Sequence, residues 1–168
     1  EKKQNSYANR NDGWRKAKSD IIWFCDADMI PDEDALEKAL EVFEKENPCG
    51  VEGHIYGSVE RVYHMGYMTG NIFYTREILE MVGGFDEALD TGPPLPGGGD
   101  LDIYYRVIRS GHLLVYDPKM MVFHEHRRSL QALRRQYWSW GLSVMAFIMK
   151  SYKSDPSYRS RLMQLIRQ

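Results

Sequence analysis

Cysteine is nearly absent from this chain of 168 residues, and the two present, Cys25 and Cys49, form neither a disulfide framework nor a metal-ligand spacing. A reducing compartment is therefore the default. No apolar run is long enough to cross a bilayer, the longest near the end being Leu142 to Met149. No signal-peptide pattern, internal repeat or low-complexity segment is visible. Acidic residues are scarce at one end only. From Arg127 onward Asp155 stands alone against nine Lys/Arg, whereas the remainder carries 13 basic and 23 acidic residues. That split points to a cation site in the acidic part and an anionic neighbour for the basic end. No nucleic-acid partner is expected. Hydrophobic content of 43% and charge of 27% leave an ordinary globular domain with a real core.

The most informative stretch is Ile21 to Pro31. Five residues, Ile21 to Cys25, are apolar without alternation, the pattern of a strand buried on both faces in a parallel sheet. Asp26 and Asp28 then end the strand, because Asp is a poor strand former. They fall at its C-terminal mouth, where open α/β sheets bind ligands. Paired hard oxygens suit Mg²⁺ or Mn²⁺, and such a cation suits a phosphate-bearing substrate. An Asp-rich turn leading to a helix cap accounts for the same three residues.

Strand and helix patterns alternate, so the class is α/β. A helix is expected over Ser6 to Lys18, with Tyr7, Ala8, Trp14 and Ala17 inward and a close neighbour at Gly13. A second should start at Pro31-Asp32 and bury Leu36, Ala39, Leu40 and Phe43. Val51 to Tyr63 reads as two strands or a hairpin, Asn71 to Thr75 as a strand, and Arg76 to Val82 as a helix closed by Gly83-Gly84. Asp90 to Gly99, rich in glycine and proline, is expected to be an irregular loop over a site. A helix from Asp100 to Ser110 presents Leu101, Tyr104 and Ile108. Leu113 to Tyr116 and Met121 to Phe123 read as brief strands. Leu130, Leu133, Tyr137, Trp140, Val144 and Phe147 mark the inner stripe of a long final helix. The organisation is thus a domain over 1–150 and a basic amphipathic tail over 151–168.

Three further features carry chemistry. Gly97-Gly98-Gly99-Asp100-Leu101-Asp102 delivers a carboxylate to a helix N-terminus, whose dipole keeps it ionised as a general base requires; a plain N-cap is the other reading. His124 ends a short strand where it can bind metal, and Arg127-Arg128 can clamp a diphosphate. Arg10 and Asn11 precede the central strand.

In that order these residues resemble the family-2 glycosyltransferases with the GT-A fold. The matching pieces are Ala8 to Gly13, Phe24 to Pro31 with its Asp-Ala-Asp, Thr69-Gly70-Asn71, Gly83 to Glu87, Gly98 to Asp102 and His124 to Arg128. The resemblance implies a GT-A-like, Rossmann-like mixed sheet flanked by helices. It implies an inverting, metal-dependent transfer of a sugar from a nucleotide-sugar donor to a hydroxyl acceptor. Asp28 and His124 would hold the metal, Asp26 would touch the ribose or the metal, and Asp100 would be the base. Arg10, Asn11, Arg127 and Arg128 would border the donor. Thr69, Gly70, Asn71, Gly98, Gly99, Asp102 and Trp140 would border the sugar and acceptor.

The pattern departs at Gly99, where such enzymes usually carry Glu. The strands that bind the nucleotide base in the family are not recognisable here, so the chain is expected to be the C-terminal two-thirds of a catalytic domain. A sheet edge left open would favour self-association. Gln136 to Trp140 lacks the Arg of the processive Gln-x-x-Arg-Trp motif, which argues against processive polymer synthesis. Basic residues beside Trp138, Trp140 and Phe147 suit peripheral contact with an anionic membrane, near a glycan or lipid-linked acceptor. That places the protein in the cytoplasm at the inner face of the membrane, in cell-surface glycan or polysaccharide synthesis. A non-catalytic sugar- or partner-binding remnant of such a domain is the alternative.

Overall fold

The computed structural model describes residues 6–57, 70–92, 95–124 and 129–166. Its centre is a five-stranded mixed sheet in the order β1, β4, β3, β7, β2. The strands are β1 (Ile21–Cys25), β2 (Met29–Pro31), β3 (Gly50–Gly57), β4 (Asn71–Thr75) and β7 (Leu114–His124). Among the described residues only β3 and β7 run parallel; β4 is antiparallel to both β1 and β3, and β2 is antiparallel to β7. Helices α1 (Ser6–Lys16), α3 (Arg76–Val82) and α4 (Gly99–Arg109) line one face, and α2 (Ala35–Glu46) lines the other.

The apolar run that forms β1 does reflect two covered faces, but not a parallel sheet. Ile22 and Phe24 enter the core with Tyr7, Trp14, Ile78, Leu79, Phe85 and Ile103. Ile21 and Trp23 pack on the opposite side with Ala39, Val51 and Phe73, where Trp23 stacks on Phe73 with centroids 4.8 Å apart. Among the described residues β1 pairs with β4 alone, at the end of the sheet. A groove of about 500 Å³ runs beside it, lined by Arg10, Gly13, Trp14, Ala17 and β1 itself. Gly13 opens on that groove with no described atom within 4 Å of where its Cβ would be, so the expected close neighbour is not found among the described residues.

Several helical stripes differ from expectation because packing overrides side-chain size. α2 turns its small residues Ala35 and Ala39 to the sheet, which brings the backbones close, and leaves Leu36 and Leu40 exposed. It starts after Asp34 rather than at Pro31, because Met29–Pro31 pairs with β7 instead. α4 buries Ile103, Tyr104 and Val107 and exposes Ile108. α5 (Leu130–Ser154) buries Ser143, Phe147, Ile148 and Ser151, whereas Leu130, Leu133, Tyr137 and Val144 of the expected inner stripe face solvent. Helix α6 (Arg159–Ile166) folds back on it, its Leu162 buried against Phe147 and Ile148.

The two brief strands expected between Leu113 and Phe123 are one strand. β7 slips register against β3 between Gly53 and His54, so that Gly53 faces Asp117 and His54 faces Met121. Pro118, which has no N–H for the ladder, lies in the bulge, and Asp117 Oδ1 accepts from Lys119 N at 2.9 Å. Gly53 permits the close approach, since a Cβ there would stand 2.2 Å from the Met120 carbonyl oxygen. Between Asp90 and Gly99 the expected irregular loop holds a two-residue antiparallel ladder of β5 (Thr91–Gly92) and β6 (Leu95–Pro96). Of the expected hairpin over Val51 to Tyr63, β3 is observed and the remainder lies outside the described residues.

Candidate active site

The site is built where three elements end together. β1 stops at Cys25 and the chain turns through Asp26-Ala27-Asp28 directly into β2, with Met29 N donating to Asp26 O at 3.1 Å. Because β2 pairs antiparallel with β7 and Met29 lies opposite His124, Asp28 meets the end of β7. His124 Nε2 is 3.2 Å from Asp28 Oδ2. The Asp28 side chain is 72% exposed and so open to an incoming ligand. Among the described residues no third His, Cys, Asp or Glu joins the pair. A carboxylate and an imidazole form an incomplete donor set that fits Mn²⁺ or Mg²⁺ when substrate phosphates and water complete the shell. Cys25, at the strand end, has its thiol pushed above the ordinary value by burial and by Asp26 and Asp28, which keeps it protonated.

Asp26 faces α1. Arg10 Nη2 donates to Asp26 Oδ1, and Arg10 Nη1 lies 3.6 Å from Asp100 Oδ1 in the first turn of α4. One guanidinium therefore spans the Asp-Ala-Asp turn and the helix terminus. It is held over two rings, with its Cζ 5.6 Å from the Tyr7 centroid and 5.4 Å from that of Phe85. Tyr7 Oη donates to Asp100 Oδ1 at 2.7 Å. Burial, and then the negative charge of Asp100, hold the Tyr7 phenol well above its usual range, so it stays a donor. Tyr7 did not emerge from sequence reasoning as a site residue; its spacing with Trp14 reads as a core stripe, and nothing local links it to Asp100.

Three other residues expected at the site make buried hydrogen bonds within the fold. Asn11, expected beside the donor, is buried: its Nδ2 donates to Phe85 O at 2.8 Å and Glu87 Oε1 at 2.9 Å, and its Oδ1 accepts from Phe85 N and Trp14 Nε1. That uses the whole capacity of the amide. Asn71, expected near the sugar or acceptor, is the buried first residue of β4, with Oδ1 accepting from Trp23 Nε1 at 3.2 Å and Nδ2 donating to Met120 O at 3.3 Å. Asp102 is buried too. Its Oδ2 accepts from Arg106 Nε at 2.8 Å and its Oδ1 from Lys150 Nζ at 2.5 Å, which ties α4 to α5. Lys150 also reaches Asp86 Oδ2 at 2.7 Å.

Gly70 is buried against the Asp-Ala-Asp turn, its carbonyl accepting from Asp26 N at 3.2 Å. Gly98, at φ 119°, approaches α5 so closely that a Cβ would stand 2.7 Å from the Ser143 carbonyl oxygen. Gly99 packs under the Tyr7 ring. Trp140 is half-buried on α5, edge-on to Tyr137. Thr69, Arg127 and Arg128 lie outside the described residues.

The mixed sheet flanked by helices is a GT-A glycosyltransferase fold, shared with similar solved structures. Residues 1–97 match the family described as Glycosyl transferase family 2, and the chain belongs to that family. It is 27% identical over 150 residues to the "Pre-mycofactocin glycosyltransferase" of two strains of Mycobacterium tuberculosis, over 74% of this chain and 31% of the relative. Its fold is similar to that of the mannosyltransferase PcManGT from Pyrobaculum calidifontis in complex with GDP-Man and Mn²⁺. There the TM-score is 0.63 at 18% identity, over 96% of this chain and 48% of that one. A second similar structure is S. aureus TarS 1-349 with UDP-GlcNAc, with TM-score 0.57 at 12% identity, over 75% of this chain and 40% of that one. The chain thus spans about a third of the length of the curated relatives and under half of these structures.

Proposed function

We propose that this chain carries the catalytic end of a metal-dependent, inverting transferase that moves a sugar from a nucleotide-sugar to a hydroxyl acceptor. The observation that carries the reading is Arg10, whose guanidinium lies against both Asp26 of the Asp-Ala-Asp turn and Asp100 of α4. A donor diphosphate at the first and an acceptor hydroxyl at the second would then be one side chain apart, as an in-line displacement requires. Asp28 and His124 would hold Mn²⁺ or Mg²⁺, and a bound cation would supply positive charge against the leaving diphosphate. Asp100, in the first turn of α4, takes the acceptor proton. Arg127 and Arg128 are proposed at the diphosphate, and Thr69, Gly70 and Trp140 at the sugar and acceptor. The donors named for the two similar structures, GDP-Man and UDP-GlcNAc, are the first to try.

Release of nucleoside diphosphate from a panel of nucleotide-sugars with Mn²⁺ tests the reading in the longest natural form of the protein. Turnover lost in Asp100→Asn, with donor binding nearly intact, is the expected result. Donor binding by calorimetry without turnover in the wild type would favour the non-catalytic alternative, a sugar- or partner-binding domain.

The setting we propose is the cytoplasmic face of a membrane, in cell-surface glycan synthesis. Among the described residues no helix is long and apolar enough to cross a bilayer. α5, however, exposes Leu130, Tyr137, Trp138, Leu142, Met145 and Met149 away from the core, with Arg134, Arg135 and Lys153 on the same helix. Apolar and aromatic side chains beside cations suit an interfacial helix on anionic lipid. Flotation with phosphatidylserine-containing vesicles should be salt-sensitive and weakened by Trp138→Ser. Equal flotation with neutral vesicles, or none at any salt, would remove this placement.

A further inference from the structure

We infer that Tyr7 is the positioning residue for Asp100, and that position 99 is glycine because the Tyr7 ring fills the space a side chain there would need. The inference rests on the reading of Asp100 as the base. Two independent contacts hold Tyr7, one at its backbone and one at its ring. Its backbone N–H donates to Asp90 Oδ2 at 2.7 Å, and its ring stacks on Phe85 with centroids 5.3 Å apart and planes within 5°. So placed, the ring lies over the start of α4. A Cβ built on Gly99 would stand 2.4 Å from a ring carbon, with two further ring carbons at 2.9 Å. Real Cβ atoms do not come that close, so any larger residue at 99 displaces the ring and takes the phenol away from Asp100.

The phenol donates to Asp100 Oδ1, the oxygen that also faces Arg10. A hydrogen bond to a charged acceptor is stronger than a neutral one, and with the Arg10 guanidinium 3.6 Å from the same oxygen it restrains the carboxylate. In the transfer, the acceptor oxygen forms its bond to the anomeric carbon, the bond to the diphosphate oxygen breaks, and the acceptor proton passes to Asp100. Tyr7 keeps its own proton throughout. The glycine that departs from the family's usual Glu is thereby matched by a tyrosine 92 positions earlier, whose O–H takes part in aiming the base.

The test compares Tyr7→Phe, Tyr7→Ala, Gly99→Ala, Tyr7→Ala/Gly99→Ala and Asp100→Asn, using the nucleotide-sugar selected by the donor panel. Tyr7→Phe keeps the ring and loses only the O–H, so kcat should fall about tenfold or more while KM and Tm stay near wild type. Gly99→Ala should lower kcat in the wild type, and cost nothing further in the Tyr7→Ala background, because the clash has gone. Full kcat in Tyr7→Phe with Asp100→Asn inactive overturns the role of Tyr7 and leaves the base in place. A fall in kcat that only tracks a fall in Tm overturns it too. Turnover retained in Asp100→Asn, or absent in the wild type with every nucleotide-sugar, removes the reading beneath it and the inference together.

Discussion

Asp28 and His124 lie 3.2 Å apart, although 96 positions separate them in the chain. The cause is a three-residue strand: Met29–Pro31 pairs antiparallel with the end of β7, which sets Met29 opposite His124. If the pair holds a divalent cation, Asp28→Asn and His124→Ala should each weaken Mn²⁺ binding, by more than the ~10-fold that loss of an outer partner costs. Titration calorimetry or the electron paramagnetic resonance of Mn²⁺ gives the answer. Unchanged affinity in His124→Ala would leave the histidine outside the metal site.

Asn11 should matter to stability before it matters to activity. Removing its amide in Asn11→Ala strands the buried N–H and carbonyl of Phe85 and the Nε1–H of Trp14. A loss of about 2–4 kcal/mol in urea unfolding is expected, since each stranded polar group carries its own desolvation cost. A loss under about 0.5 kcal/mol, typical of a surface change, would contradict the bracing role.

Asp102 separates bracing from acceptor binding in the same way. Its buried carboxylate is shared by Arg106 and Lys150, so Asp102→Asn leaves two cations with a neutral partner. About 3 kcal/mol of stability should go, as for a broken buried ion pair, with acceptor KM unchanged in the protein that remains folded. A raised acceptor KM at unaltered stability would restore Asp102 to the acceptor site.

Acid should loosen the end of α5 before it unfolds the sheet. The Asp155 carboxyl is held well below the usual range by Arg109 first, then by Ser157 and Tyr105. Tyr105, in turn, is pushed up to about 12 by burial and by Asp155. Because the Asp155 pKa is lower folded than unfolded, its contribution is complete above the unfolded value of about 4 and is lost as pH falls below it. Hydrogen exchange around Leu162 should therefore quicken below about pH 4, and Asp155→Asn should show the faster exchange already at neutral pH. Exchange independent of both would place the anchoring of α6 elsewhere.

Much of the molecule was written locally. Asn71–Thr75 and Arg76–Val82 follow from a β-branched and aromatic run, a Thr75 cap whose Oγ1 accepts from Ile78 N, and a Gly83 at φ 80°. The order of the Asp-Ala-Asp, Gly-Gly-Asp and His pieces carried the family resemblance for the same reason: each is a short run whose residue types fix a turn, a cap or a strand end. Tertiary structure decided what no local pattern carries. Which face of α2 is buried depended on how closely backbones could approach, so alanine went inward and leucine outward, and on α5 Ser143 and Ser151 went inward beside Phe147 and Ile148. Asn11, Asn71 and Asp102 were drawn to the site by the family resemblance, and only the tertiary structure shows that their side chains are buried and hydrogen-bonded inside. Tyr7 went the other way. Its role is set by a glycine 92 positions away, because excluded volume acts between neighbours in space and leaves no mark on the residues beside them in the chain.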